Sequence, residues 1–202
     1  AMNAALLYKY TKNTSHLDWA KKIFAWTQST LKNEVLGTYF DCIDRAGNIQ
    51  TAQFTYNSGC MLSAAALLYD ITKEEDYLAE AISIAEGSRA LFAHEHLSYS
   101  DNAWFRVYLF QGYLDAYRYC GESFKSFMDG CLKGYDYAVT KNYYDRFGFI
   151  FDRWDGSMKP DDDPVYQTGC REACGNAQSM AVFAEYFEES SKNNQTAEEV
   201  LN

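Results

Sequence analysis

Apolar residues recur along most of this chain three and four positions apart, the period of a helix that buries one face. The clearest stretch is Trp104, Phe105, Tyr108, Leu109, Gly112, Tyr113 and Ala116, a double stripe. Phe124, Phe127, Met128, Cys131, Tyr135 and Ala138 repeat the pattern. So do Leu17, Ala20, Phe24, Thr27 and Leu31, preceded by Ser15 with Asp18 three residues on, which reads as a capping-box start. Thr72 and Glu75 stand in the same relation ahead of Tyr77, Leu78, Ala81, Ile82 and Ala85. The spacing predicts helices near 1–11, 15–32, 58–71, 74–93, 101–120, 123–139 and 168–190, and therefore an all-α protein.

An internal repeat identifies the building unit. Leu7-Tyr8-Lys9-Tyr10-Thr11-Lys12, followed by Leu17, Ala20 and Ile23, recurs as Leu68-Tyr69-Asp70-Ile71-Thr72-Lys73, followed by Leu78, Ala81 and Ile84. Each copy spans a helix end, a turn and the next helix, so the unit is a helical hairpin. A looser third copy starts at Tyr117-Arg118-Tyr119 and lacks the threonine-lysine pair. Connections alternate between short ones near 12–14, 72–73 and 121–122 and long ones near 33–57, 94–100 and 140–167. In antiparallel helices every second connection emerges at the same end, so the three long segments are expected to share one mouth. Irregular loops on a rigid scaffold are where binding sites form.

The long segments are rich in aromatic and polar residues. The first runs from Gly37-Thr38-Tyr39-Phe40-Asp41 to Phe54-Thr55-Tyr56-Asn57, with Asp44-Arg45-Ala46-Gly47 predicting a short β-hairpin. The third carries Tyr143, Tyr144, Phe147, Phe149, Phe151 and Trp154-Asp155-Gly156, together with Pro160 and Pro164. Sugar rings stack their C–H faces on aromatic rings while their hydroxyls need convergent polar partners, so this mixture suits a carbohydrate. Tyr39 and Trp154 are stacking candidates by loop position.

Composition narrows the classes. The 202 residues are 48% hydrophobic and 17% aromatic, enough for one sizeable core. A formal charge of −10 disfavours nucleic acid as a ligand and leaves a neutral polymer unopposed. No apolar run has the length of a membrane span, and no basic segment leads into an apolar one. Cys42, Cys60, Cys120, Cys131, Cys170 and Cys174 form no CxxC pair, and His16, His94 and His96 lie far from most of them, so the cysteines read as structural and no metal or cofactor is expected. Cys170 and Cys174 sit one helical turn apart. The chain is apolar and helical from Ala1-Met2-Asn3-Ala4-Ala5-Leu6-Leu7-Tyr8, which predicts that a helix or more precedes it.

Thr55-Tyr56-Asn57-Ser58-Gly59, heading an alanine-leucine helix, resembles the Thr-Tyr-Asn-Gln-Gly motif of glycoside hydrolase family 76, the α-1,6-mannanases. Tyr39-Phe40-Asp41-Cys42-Ile43 resembles the short strand with a central aspartate in that family, and Asp101-Asn102-Ala103-Trp104-Phe105 resembles a helix opening of its bacterial members. The likeness continues through Arg171-Glu172-Ala173-Cys174-Gly175-Asn176-Ala177-Gln178-Ser179-Met180. The resemblance implies part of an (α/α)6 barrel and retaining cleavage of internal α-1,6-mannosidic links in mannan, without cofactor. It also implies that Asp41, Tyr56 and Asn57 hold sugar hydroxyls, that Trp104 either stacks on a mannose or fills the core, and that the enzyme works outside the cytoplasm, secreted, periplasmic or on the cell surface. Arg106 could pair with a buried acid as readily as touch a ligand.

Two departures accompany the likeness. Ser58 stands where the family usually has glutamine. The adjacent aspartates that serve the family as nucleophile and acid/base have no counterpart before Thr55, so the pair is expected upstream of residue 1 and the chain is expected to be the C-terminal portion of an incomplete barrel that folds poorly by itself and is inactive alone. Asp161-Asp162-Asp163 reads as a solvated charge run, and Asp101 as a helix N-cap. Two other functions fit the pattern: another (α/α)6 sugar enzyme of the unsaturated glucuronyl hydrolase or epimerase type, and a non-catalytic helical module binding a glycan or a protein. Oligomeric state is left open.

Overall fold

The structure is a computed structural model that describes residues 1–99, 101–141, 148–151, 154 and 169–201. The described residues form seven α-helices: α1 (Met2–Thr11), α2 (Thr14–Leu31), α3 (Thr55–Thr72), α4 (Glu75–Phe92), α5 (Ala103–Cys120), α6 (Lys125–Thr140) and α7 (Cys170–Leu201). Four two-residue strands lie between α2 and α3: β1 (Lys32–Asn33) pairs with β2 (Thr38–Tyr39), and β3 (Cys42–Ile43) with β4 (Ile49–Gln50), both antiparallel. The second pair is the hairpin predicted around Asp44–Gly47, with the Asp44 carboxylate accepting from the amides of Ala46 and Asn48 to close the turn.

The helices form two layers. α1, α3, α5 and α7 pack side by side in sequence order, while α2 and α4 lie against their hairpin partners and α6 packs on α5. The inner helices are parallel: Lys9 meets Asp70 at the C-terminal ends of α1 and α3, Thr55 meets Asp101 at the heads of α3 and α5, and Arg118 meets Glu189 where α5 and α7 run on together. α3 sits between two inner neighbours, α1 and α5, and two outer ones, α2 and α4, so Leu62 to Leu68 are buried without interruption. A helix enclosed on every side has little amphipathic contrast, which its run of Ala64, Ala65 and Ala66 reflects. By contrast α2 leaves Trp19, Ile23 and Trp26 exposed.

The repeat is reproduced atom by atom. Lys12 and Lys73 both end their helices in the left-handed conformation at φ 59°, and their amides return to Tyr8 and Tyr69. Thr11 and Thr72 each donate a hydroxyl hydrogen bond to the carbonyl four residues back and accept the amide two residues on, from Asn13 and Glu74. In the third copy Gly121, at φ 103°, replaces the lysine and bonds back to Tyr117. Glycine meets the positive φ without the cost a side chain brings.

α3 and α5 approach so closely that a Cβ on Gly59 would lie 2.4 Å from the carbonyl oxygen of Tyr108. The glycine of the Tyr-Asn motif is thus a packing requirement.

Several local expectations need correction. Asn13, not Ser15, caps α2, accepting from the Ser15 amide at 3.1 Å. Glu74 occupies the N-cap of α4, and the Thr72 hydroxyl turns back into α3 instead. α3 starts at Thr55, a turn earlier than the periodicity indicates, so Thr55, Tyr56 and Asn57 belong to the helix and not to the loop. Asn102 caps α5, accepting from the Phe105 amide at 3.1 Å, while Asp101 has a different task. Tyr143, Tyr144, Phe147, Asp155, Gly156, Pro160, Asp161-Asp162-Asp163 and Pro164 lie outside the described residues.

Candidate functional site

The head of α3 gathers three of the sequence-predicted residues. The Tyr56 hydroxyl donates a short hydrogen bond to the Asp41 carboxylate. Asn57 donates to the Asp41 carbonyl at 3.4 Å and accepts the Phe54 amide at 3.3 Å, fixing the loop where it turns into the helix. Asp41 is further held by its own amide, which reaches the carbonyls of Gln50 and Ala52 at 3.2 and 2.8 Å. The hairpin therefore serves to aim one carboxylate at the first turn of α3. Burial, then the bond to Asp41, pushes the Tyr56 phenol up to about 12, so it stays a donor across the physiological range.

Aromatic rings wall this group. Tyr56 stacks with Phe54 at 5.8 Å and meets Phe105 of α5 edge-on at 4.7 Å. Sequence reasoning gave Phe54 and Phe105 no role in the site: they appear in it as members of an aromatic stretch, a helical stripe and the Asp-Asn-Ala-Trp-Phe helix opening. A cleft of about 430 Å³ opens beside them, lined by Gln53, Phe54, Leu91, Phe92 and Asp101.

Asp101 ties the inner helices together. Its Oδ2 accepts both the amide and the hydroxyl of Thr55 at 2.9 Å, capping α3 from the neighbouring loop. Its carbonyl accepts from Arg106 Nη1 at 2.8 Å, and Arg106 Nη2 reaches Asn176 of α7 at 3.1 Å. Asn176 in turn donates to the carbonyl of Ile150 at 2.9 Å, and the fully buried guanidinium of Arg106 lies 4.0 Å from the ring centre of Trp154. Residues of the first and third long segments, with Asp101 at the exit of the second, thus meet at the N-terminal end of the inner helices. Arg106 is a structural hub, and Asn176, hidden in a helix of small residues, carries a role that its type alone did not signal.

The other candidates fall in different places. Trp104 is 37% exposed, edge-on to Tyr108 at 6.5 Å, and so keeps ring surface open to solvent. Tyr39 and Trp154 are each 1% exposed, so the interior placement leaves no ring face for a ligand to stack on. Tyr39 donates to Glu80 at 2.8 Å, Glu80 pairs with Lys32 at 2.6 Å, and burial followed by the Glu80 charge holds the Tyr39 phenol above its usual range. Ser58, at the family's glutamine position, is buried and accepts the Tyr39 amide at 3.2 Å. Its hydroxyl joins the strand to α3. Among the described residues no group of histidine, cysteine and acidic side chains is placed to hold a metal ion, and no helix is long and apolar enough to cross a membrane.

Parallel inner helices, antiparallel outer ones and long loops gathered at one mouth define an arc of the (α/α)6-barrel architecture. The chain belongs to glycosyl hydrolase family 76, whose sequence pattern matches residues 1–147. Among curated proteins it is similar to the mannan endo-1,6-alpha-mannosidase DCW1 of Candida glabrata, 31% identical over 94 residues that make up 44% of this chain and 21% of that protein. The DCW1 of Saccharomyces cerevisiae is 29% identical over 103 residues, 48% of this chain and 22% of the relative. The fold is shared with solved structures, two of which serve as examples. A family 76 glycoside hydrolase from a bovine Bacteroides thetaiotaomicron strain superposes with TM-score 0.73 at 22% identity, covering 90% of this chain and 41% of that one. An inactive variant of the α-1,6-mannanase of a Salegentibacter species, altered at two adjacent aspartates and bound to α-1,6-mannotetrose, superposes with TM-score 0.71 at 24% identity, covering 90% and 55%. The chain therefore spans about half the length of such structures, and the matched stretch about a fifth of the curated relatives.

Proposed function

We propose that the whole protein is a retaining hydrolase of internal α-1,6-mannosidic links, and that this chain forms one wall of its substrate cleft. The observation that carries the reading is the Asp41–Tyr56–Asn57 cluster at the head of α3, a half-buried set of donors and acceptors beside a cleft at the loop end of the barrel. In this reading Asp41, Tyr56 and Asn57 bind sugar hydroxyls and the exposed ring of Trp104 stacks on a mannose. Tyr39 and Trp154 support that wall from within. The nucleophile and the acid/base are an adjacent aspartate pair contributed from upstream of residue 1, their carboxyls roughly 5–5.5 Å apart as retention requires. A relative bound to α-1,6-mannotetrose and curated mannan endo-1,6-alpha-mannosidases in the same family support this substrate over the glucuronyl hydrolase, epimerase and binding-module alternatives. In this reading the enzyme works where mannan lies, outside the cytoplasm: secreted, periplasmic or surface-bound.

The test is hydrolysis of linear α-1,6-mannan by the whole protein, with proton NMR of the newly released reducing ends. Release of shorter α-1,6-oligosaccharides as the α-anomer is the expected result, and Tyr56→Phe should lower kcat/KM by about ten- to a hundredfold, as loss of one hydrogen bond to a held carboxylate does. No cleavage of the α-1,6 polymer, or initial release of the β-anomer, would overturn the reading.

A further inference from the structure

Beyond Leu91 and Phe92, which line the cleft at the head of α3, the loop between α4 and α5 builds a second platform against α6. Ala93 bridges to Tyr99, His94 and Ser98 are joined by backbone hydrogen bonding at 3.0 Å, and the tip places both His96 and Leu97 at φ 59°, a conformation that side chains rarely adopt. The tip is seated on α6 at Gly134, where a Cβ would stand 2.2 Å from the Leu97 carbonyl oxygen. It is locked there by the imidazole of His96, stacked on Tyr137 with ring centres 4.1 Å apart and planes 17° from parallel. A cleft of about 450 Å³ results, and its polar lining is His94, His96, Lys133, Asp136 and Thr140 beside Tyr137.

We propose that this platform is a second saccharide-binding site, distinct from the cleft at the head of α3, which takes a pyranose unit of a long chain or branch. The saccharide class rests on the function proposed above; the existence of a prepared site rests on the geometry. An anion site would not carry Asp136, and a purely cationic ligand would not be met by Lys133. Hydroxyls that both donate and accept are served by such a mixed lining, next to a flat stacked pair. A glycine seat and a ring stack hold the left-handed tip in place before any ligand arrives, so little ordering is left to oppose binding. The loop end of the barrel carries this site as well, since α6 runs back toward the mouth, which allows one polymer to reach both.

The experiment uses the whole protein and its His96→Asn and Lys133→Ala variants. Asparagine tolerates the left-handed backbone and removes the ring; Lys133 is exposed on α6, so its loss does not threaten the fold. Electrophoretic retardation in gels containing long α-1,6-mannan reads polymer binding, and hydrolysis of α-1,6-mannotetraose reads the central cleft alone. Each variant should bind the polymer about five- to tenfold more weakly, the loss of one stacked or charged contact, while tetrasaccharide hydrolysis stays at the wild-type rate. A wild type that is not retarded, or variants retarded as strongly as wild type, overturns the site. Retardation that the variants lose in a protein that hydrolyses no mannan would sink the proposed function and leave the site standing.

Discussion

Asp101 Oδ2 lies 2.9 Å from both the amide and the hydroxyl of Thr55, so a carboxylate at the start of α5 caps the helix beside it. The cap bridges two inner helices and sets the angle at which the Tyr-Asn motif enters the mouth. Asp101→Ala removes an acceptor from both groups and leaves a buried hydroxyl at Thr55, so destabilisation by about 1–3 kcal/mol is expected. Urea unfolding of the whole protein checks this. Asp101→Asn, which keeps one acceptor oxygen, should cost less, and equal losses for the two variants would contradict the capping role.

Gly59 meets the backbone of Tyr108 and Leu109 with no room for a methyl. Gly59→Ala gains helix propensity worth about 1 kcal/mol, but forces two backbones apart. The packing term should win, with a net loss of about 1–3 kcal/mol and a lowered Tm. An alanine variant as stable as wild type would show that α3 and α5 do not touch there.

Asp115 is buried on α5, and burial, ahead of any partner, raises its carboxyl above the ordinary value. Arg118 does little to relieve it, sitting 3.8 Å away while bonding Glu185 and Glu189 at 3.2 and 2.9 Å. A raised folded-state value means that the group favours folding below its unfolded value near 3.9 and that this contribution fades as pH rises through the folded one. Asp115→Asn, which retains an acceptor for Gln111, should therefore match or exceed wild-type stability at neutral pH and lose that advantage in acid. Denaturation midpoints at pH 7 and pH 4 decide it.

Asp70 behaves in the opposite sense. Burial works against its charge, yet hydrogen bonds from Lys9 at 2.8 Å and Lys73 at 3.2 Å prevail and hold the carboxyl below its usual range. Its stabilising share is complete above the unfolded value and disappears as pH falls through the folded one. Asp70→Asn should cost about 1 kcal/mol at pH 7, in line with a partly exposed pair, and almost nothing once the wild-type carboxyl is protonated. A cost that persists unchanged in strong acid would assign the effect to packing.

Helical period, hairpin repeat and the alternation of short and long links were legible in the residues because each is local: apolar spacing fixes which face is buried, and a turn is made by its own few residues. That is why six of the helices stand within three residues of where the pattern put them, while α7 runs on to Leu201, past the end near 190 that the spacing indicates, and why Lys12 and Lys73 end their helices identically. The cluster of Asp41, Tyr56 and Asn57 was legible through a motif. Its aromatic wall was not, since Phe54 and Phe105 become neighbours only when two helices are laid together. The same holds for the caps: Ser15 and Asp101 have the right side chains, but Asn13 and Asn102 have the right positions, and only tertiary packing turned Asp101 toward Thr55. Tyr39 and Trp154 mark the limit most plainly. Being in a loop says nothing about which way a ring faces, and burial against Glu80 and Arg106 is a property of the assembled core. Local residue order was enough to set out the helices and the end at which their loops gather; which side chains face the cleft and which disappear beneath it was decided by contacts between residues far apart in the chain.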